Sequence, residues 1–377
     1  MILLKIKNLF LLCCLLFVVN INYAITKQPE PKLVILFIID GLSVEGPARI
    51  NMPNFNALKA QGSYYKEMHL TLPGHPEKSN TYPWSCSMPN PMLMTGSPFI
   101  GKSGIRESMI QHAFKDKETA FIVNARAYED VSDGFGTYIS SSFNPDALVI
   151  NLAKNVMDVS TPKFMRVHLQ RSGIEGLRIS KSWSKNEVYH RNIWHEQSTY
   201  RKAITEADRQ LGRFVQYLKD SDKWEHTVLL ITSDHGQANE GWHEPYSPPS
   251  SVTPLLVVGA GVKKGATFEY CEIIDIAPTI ADLSKKKKPA LSIGRVLSEA
   301  FESNSEQSPE VPKNMKRLNK VLIEAHNLPE DKKKTLTNNG FLALEDLGIW
   351  HTTAVGDNFD RFVEQQEKLL KEFKEKP

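Results

Sequence analysis

The segment Leu33 to Gly41, LVILFIIDG, is an almost wholly apolar run that ends on a lone aspartate, and Thr227 to Gly236, TVLLITSDHG, repeats the arrangement with an Asp-His pair. Each reads as a buried strand with its acidic or basic side chain at the carboxyl end. A parallel sheet sets such ends side by side along its crevice edge, so Asp40, Asp234 and His235 are expected to meet. Carboxylate with neutral imidazole suits zinc or manganese. The plainer reading is that each aspartate only opens a turn or caps the next helix.

Further strands are expected at Ala120 to Val123, Met165 to Leu169 and Leu255 to Val258. Tyr200 to Leu218 reads as a helix whose one face carries Tyr200, Ala203, Ile204, Ala207, Leu211, Phe214, Val215 and Leu218, with Glu206, Asp208, Arg209 and Arg213 largely on the other. Alternating strands and helices indicate an α/β layer architecture with a mainly parallel central sheet. After Leu283 the texture turns polar and charged, which reads as a helical C-terminal extension closing with an amphipathic helix from about Asp357 to Phe373.

The first 24 residues read as an export signal: Lys5 and Lys7, an apolar stretch from Leu9 to Val19, and a cleavage point after Ala24. The expected location is therefore the periplasm or the exterior, with no transmembrane segment after the signal is removed. The division is then 1–24 signal, 25–290 α/β domain and 291–377 extension. A net charge of +3 over 377 residues gives no reason to expect a nucleic-acid partner. Cys13 and Cys14 leave with the signal, and an exported chain would usually pair the remaining Cys86 and Cys271.

These motifs, in this order, resemble the alkaline phosphatase superfamily in its phosphodiesterase and sulfatase-like branches, including type I phosphodiesterases and nucleotide pyrophosphatases. The similar segments are LVILFIIDG, NMPNFNALKAQG at Asn51 to Gly62, Met94-Thr95-Gly96, AITEADRQLG at Ala203 to Gly212, TSDHG, SVTPLLVVG at Ser251 to Gly259, and EIIDIAPTIADL at Glu272 to Leu283. The resemblance implies a three-layer sandwich with a divalent ion on Asp40, Asp234 and His235: zinc, with manganese or calcium as alternatives, and one ion rather than two. It also places the nucleophile about ten residues before Gly96, at Cys86, or at Ser87 if the register shifts by one. In sulfatases that cysteine is oxidised to formylglycine at a Cys-x-Pro-x-Arg signal. Here the run is Cys86-Ser87-Met88-Pro89-Asn90, with the proline displaced and Asn90 in place of the arginine.

Two-metal members carry Asp-x-x-Gly-His before the central helix. The equivalent stretch, His168 to Gly176, has Gln170 and Ile174 at those places, so the usual second site is not expected. Other site residues to weigh are His243, His195, His190 and His351. Arg171 beside the lost second site could supply its positive charge, and Lys78, Arg166 and Arg201 are further basic groups for an anion. Trp183, Tyr189, Trp194 and Trp242 could wall an apolar or sugar substituent, or simply pack. For substrate contacts Arg171 and His195 are singled out, and His243 as an additional ligand. The expected activity is metal-dependent hydrolysis of a small anionic ester through a covalent intermediate, with phosphodiesters ahead of monoesters. A sulfatase or an anionic-group transferase is the first alternative. A degenerate binder of anionic glycans or lipid head groups is the second.

Overall fold

The computed structural model describes residues 31–70, 89–97, 109–126, 128–243, 247–307, 309–342 and 357–375. The expected signal, Lys78, Cys86, Ser87 and His351 lie outside the described residues.

Eight strands form one mixed, mainly parallel sheet: β1 (Leu33–Ile39), β2 (Gly62–His69), β3 (Thr119–Val123), β4 (Thr137–Ser140), β5 (Phe164–Leu169), β6 (Thr227–Thr232), β7 (Val252–Gly259) and β8 (Ala266–Glu272). Their order across the sheet is β4-β3-β5-β1-β6-β7-β2-β8. All pairings are parallel except those of β7, which runs against β6 and β2. Every residue of β1 is buried because both faces are covered. Its side chains alternate: Val34, Leu36 and Ile38 enter one core layer, while Leu33, Ile35, Phe37 and Ile39 enter the other. Burying each large aliphatic or aromatic side chain contributes about 2 kcal/mol before chain entropy is counted.

Helices cover both faces, giving an alkaline-phosphatase-like fold. On one side lie α1 (Pro53–Lys59), α3 (Asp146–Val159) and α5 (Thr199–Asp220). The apolar stripe expected on α5 is buried throughout. Asp208 differs from expectation: it is 1% exposed, not on the solvent face. Its carboxylate accepts from the Asn54 and Phe55 backbone N–H groups at 3.0 and 2.7 Å and from Asn54 Nδ2 at 2.9 Å, so it caps the start of α1 from a distance. The opposite layer holds α2 (Pro89–Thr95) and α6 (Ile276–Leu283), and α4 (Arg171–Ser180) follows β5. The extension forms α7 (Lys313–His326), α8 (Glu330–Asn338) and α9 (Asp357–Glu375), whose apolar residues Leu318, Leu322, Phe359 and Phe362 join the same core cluster. Cys271 is buried in that cluster and has no disulfide partner among the described residues, its expected partner Cys86 lying outside them.

The placement that matters is at the middle of the sheet. β1 is flanked by β5 and β6, both parallel to it, so three carboxyl ends open on one edge. Ile38 pairs with both His168 and Thr232, and Asp40 and Asp234 each lie two residues beyond a paired position.

Candidate metal centre

Asp40, Asp234 and His235 converge, with one ligand atom from each lying within 4.8 Å of the others. All three are buried. The chain turns sharply after Asp40 through Gly41, at φ +63°, where a Cβ would sit 2.7 Å from Gln237 Oε1. The Asp40 carbonyl is held by the Ser172 hydroxyl at 2.6 Å. Ser233 Oγ and the Gly41 N–H approach Asp234 Oδ1 at 3.3 and 3.5 Å.

His235 Nδ1 donates to the carbonyl of Gly236 at 2.7 Å, which leaves the Nε2 lone pair for another partner. That nitrogen is buried without a hydrogen bond, 3.5 Å from Asp40 Oδ1 and 4.0 Å from Asp234 Oδ1. Burial opposes charge on this imidazole, but Asp234 and Asp40 outweigh it and raise its pKa. Burial likewise raises the Asp40 pKa, against the pull of His235, Tyr128 and Arg166. An orphaned imidazole nitrogen facing two crowded carboxylates is the donor set of a divalent cation, which would relieve both strains. These three residues fit the ion expected for the fold.

The other oxygens of the two carboxylates face hydrogen-bond donors. Tyr128 donates its hydroxyl to Asp40 Oδ2 and lies 3.5 Å from Asp234 Oδ2. Asn90 Nδ2 donates to Asp234 Oδ2 at 3.0 Å, and His168 Nε2 is 3.2 Å from Asp40 Oδ2. Behind them Arg166, fully buried, donates through Nη2 to Asn90 Oδ1 and approaches His168 Nδ1 at 3.1 Å. Its plane lies over the Phe121 ring, 4.7 Å from the centroid.

Residues 91–286, just over half of the chain, match the family profile described as Sulfatase. The chain belongs to the sulfatase family. It is 29% identical over 157 residues to arylsulfatase K of Gallus gallus, covering 38% of this chain and 28% of that protein. It is 34% identical over 107 residues to the multifunctional alkaline phosphatase superfamily protein PehA of Trinickia caryophylli, covering 26% of this chain and 21% of that one. The chain thus matches less than a third of the length of these relatives. Among solved structures, a protein in complex with its substrate D-glucosamine-2-N,6-O-disulfate superposes with a TM-score of 0.55 at 13% identity, covering 75% of this chain and 82% of that one. The phosphonate monoester hydrolase of Silicibacter pomeroyi superposes at 0.51 with 15% identity, over 73% and 77%. At such identities the superpositions speak for the fold alone.

Other residues singled out from the sequence fall around this sulfatase-family centre or away from it. His243 stacks edge-on to His235, with ring centroids 4.7 Å apart, and Trp242 leans on His243 at 4.0 Å. His243 is not part of the three-residue ligand cluster found among the described residues. The Arg171 guanidinium is half-exposed and pairs with Glu175 one turn on, at 2.6 Å. His195 sits in a local turn, accepting the Gln197 N–H at 3.2 Å, and His190 Nδ1 meets Ser184 Oγ at 2.8 Å. Arg201 donates to the carbonyl of Trp194 at 3.2 Å. The four aromatics do not form one wall, since Trp183 is 73% exposed, Trp194 lies under Arg49 and Trp242 stays with the histidines.

Tyr128, Asn90 and His168 were missing from the expected site residues, and Arg166, expected only as a further basic group for an anion, is built into the centre. The signal for two of them was present in FMRVHL, where Arg166 and His168 interrupt an otherwise apolar strand at i and i+2 and so share one face.

Proposed function

We propose that the chain is an exported, metal-dependent hydrolase of sulfatase type. One divalent ion would be held by Asp40, Asp234 and His235, and the nucleophile would come from position 86, as thiol or formylglycine, or from Ser87. The observation that carries this reading is the orphaned His235 Nε2 facing both carboxylates from a buried position. When bound, the ion polarises an ester oxygen and lowers the pKa of the group that attacks. The protein's own residues do the rest. Asn90, four positions after Cys86, reaches Asp234 and so ties the start of α2 to the centre. Arg166 provides a positive charge beside the same edge. Attack at the tetrahedral centre would break its bond to the ester oxygen, so that the alcohol leaves with a proton, and water would then release the acid from the covalent intermediate.

Membership of the sulfatase family moves the preferred substrate from the phosphodiester expected from the sequence to a sulfate ester, with phosphodiesters as secondary substrates. Purified protein is to be supplied with zinc, manganese or calcium and offered 4-nitrophenyl sulfate and bis(4-nitrophenyl) phosphate, alongside mass spectrometry of the peptide containing Cys86. Turnover that disappears in the C86A or S87A variant supports the reading, and formylglycine at position 86 assigns the sulfatase chemistry. A folded protein that turns over neither ester with any of the three ions refutes it.

A further inference from the structure

A cavity of about 600 Å³ opens at the end of the sheet away from the metal centre. It lies at the amino ends of β1, β5 and β6, where the Lys32 N–H bonds the His226 carbonyl and the Val34 N–H bonds the Lys163 carbonyl, both at 2.8 Å. The ion ligands follow the carboxyl ends of β1 and β6, and these three strands are six or seven residues long. About 20 Å therefore separates the cavity from the centre.

The inner wall is apolar and belongs to both core layers. Leu33 and Met157 come from one hydrophobic cluster and Val34 from the other, and all three are buried. Met157 stands in the last turn of α3, and Leu283, which ends α6, lines the same space. A volume of this size falls within the range of small-molecule sites, about 300 to 1,000 Å³.

The charged lining residues are biased to one sign. Lys32, Lys163, Lys223 and Lys285 stand against a single acid, Asp222. Lys163 is taken by Glu118 at 2.5 Å, and Lys223 Nζ lies over the Tyr217 ring, 5.5 Å from its centroid. Lys32 and Lys285 have no carboxylate partner among the described residues. Two further lining residues carry buried polar atoms without a hydrogen bond, His226 at Nδ1 and Ser284 at Oγ. They fall beside the two available lysines, since Lys32 pairs with His226 through the backbone and Lys285 follows Ser284. Ammonium, hydroxyl and imidazole groups can all donate to one anionic oxygen pair.

We propose that this cavity binds an amphiphile with one anionic head group. Its apolar tail lies against Leu33, Val34 and Met157, and its head oxygens meet Ser284, His226, Lys32 and Lys285. A medium-chain carboxylate is the simplest ligand of that class. A cationic amphiphile would face the lysines, and a small inorganic anion would leave the apolar wall without a partner. Binding here is independent of the reaction at the metal centre.

Purified protein labelled with carbon-13 at the methionine methyls is to be titrated with dodecanoate below its micelle concentration, with dodecyltrimethylammonium and acetate alongside. Dodecanoate is expected to bind saturably and to shift the Met157 signal, assigned through M157L. Met92 and Met94, on the helix that reaches Asp234 through Asn90, should stay in place. The cation should bind about tenfold more weakly or worse, and acetate should shift nothing. Saturable shifts at Met92 or Met94 without one at Met157 would put the anion at the metal centre and overturn the proposal. So would equal binding of the two amphiphiles, or no binding of dodecanoate.

Two variants locate the head and the tail. Lys32 and Lys285 are exposed, so K32Q/K285Q should fold normally and weaken dodecanoate by about tenfold. Unchanged affinity in that double variant overturns the assignment of the head. Thr161 is an exposed lining residue, and T161W should fill the space and abolish the Met157 shift. A folded T161W that binds dodecanoate as tightly as wild type overturns the assignment of the cavity. If T161W fails to fold, K32Q/K285Q and the wild-type Met157 signal decide.

Discussion

Gly173 lies against Asp40 so closely that a Cβ on it would stand 1.9 Å from Oδ1 and 2.6 Å from Cγ. The helix α4 therefore packs its first turn directly on the carboxylate proposed to hold the ion, and only glycine leaves that carboxylate in place. The substitution G173A must push Asp40 aside or move the helix. Overpacking of this kind costs about 1 to 3 kcal/mol of stability. We expect the variant to fold with a lowered urea midpoint and to lose most of its divalent-ion affinity, measured by calorimetry. Unchanged ion binding would show that α4 yields and Asp40 does not depend on its contact.

Ion binding and pH should be coupled in a fixed direction. The folded pKa values of Asp40 and His235 are both raised in the ion-free site. A raised value favours the protonated form on folding, so its stabilisation is present at low pH and is lost as pH rises through the folded value. An ion requires the deprotonated forms and restores what is lost. Added zinc or manganese at about 100 times its dissociation constant should stabilise the chain by about 2.7 kcal/mol at pH 8. The rise in Tm should shrink toward pH 5, and a larger rise at pH 5 than at pH 8 would contradict the ligand assignment.

Much of this centre is visible in the amino-acid order, for a physical reason. Asp40, Asp234 and His235 end two apolar strands that must be buried on both faces, so their place at the edge of the sheet follows from local pattern and topology. Tyr128 reaches Asp40 from an irregular stretch between β3 and β4, across 88 positions, with no periodicity to announce it. Arg166 and His168 were legible as polar breaks in β5, yet what they touch depends on β5 lying beside β1, which no local signal states. Arg171 was picked out by its position beside a lost ligand, and what the local sequence also offered was a partner at i+4, Glu175, with which it forms a salt bridge at 2.6 Å. The strands β2, β4 and β8 were not anticipated, and in β2 the exposed Lys66 and half-buried Glu67 break the apolar run.

Asp208 shows the same limit of periodicity and gives a test of stability apart from the centre. It accepts three hydrogen bonds from Asn54 and Phe55 while 1% exposed. Its removal leaves buried donors at the start of α1 unsatisfied, each costing on the order of 1 kcal/mol or more. D208A should lose about 3 kcal/mol in urea unfolding, with ion stoichiometry unchanged. A loss under about 1 kcal/mol would mean that water replaces the carboxylate at low cost.

Asp146 should give the fold a pH dependence of its own. It begins α3, accepting from Asn124 Nδ2 at 2.8 Å and from the Arg171 N–H at 3.4 Å, while its second oxygen is buried without a partner. Burial is the largest influence on it, and the two hydrogen bonds only partly offset the effect, leaving the pKa raised to about 6. Since the unfolded value is about 3.9, the fold binds this proton more tightly than the unfolded chain does. The stabilisation it brings is complete below about pH 4 and is lost as pH rises through about 6. The substitution D146N keeps the carbonyl acceptor for Asn124 and removes the titration. The difference in unfolding free energy between wild type and D146N should therefore change between pH 4 and pH 7, with wild type relatively more stable at the acid end. A difference that stays flat over that range would mean that water or the neighbouring Arg171 keeps Asp146 ionised in the fold.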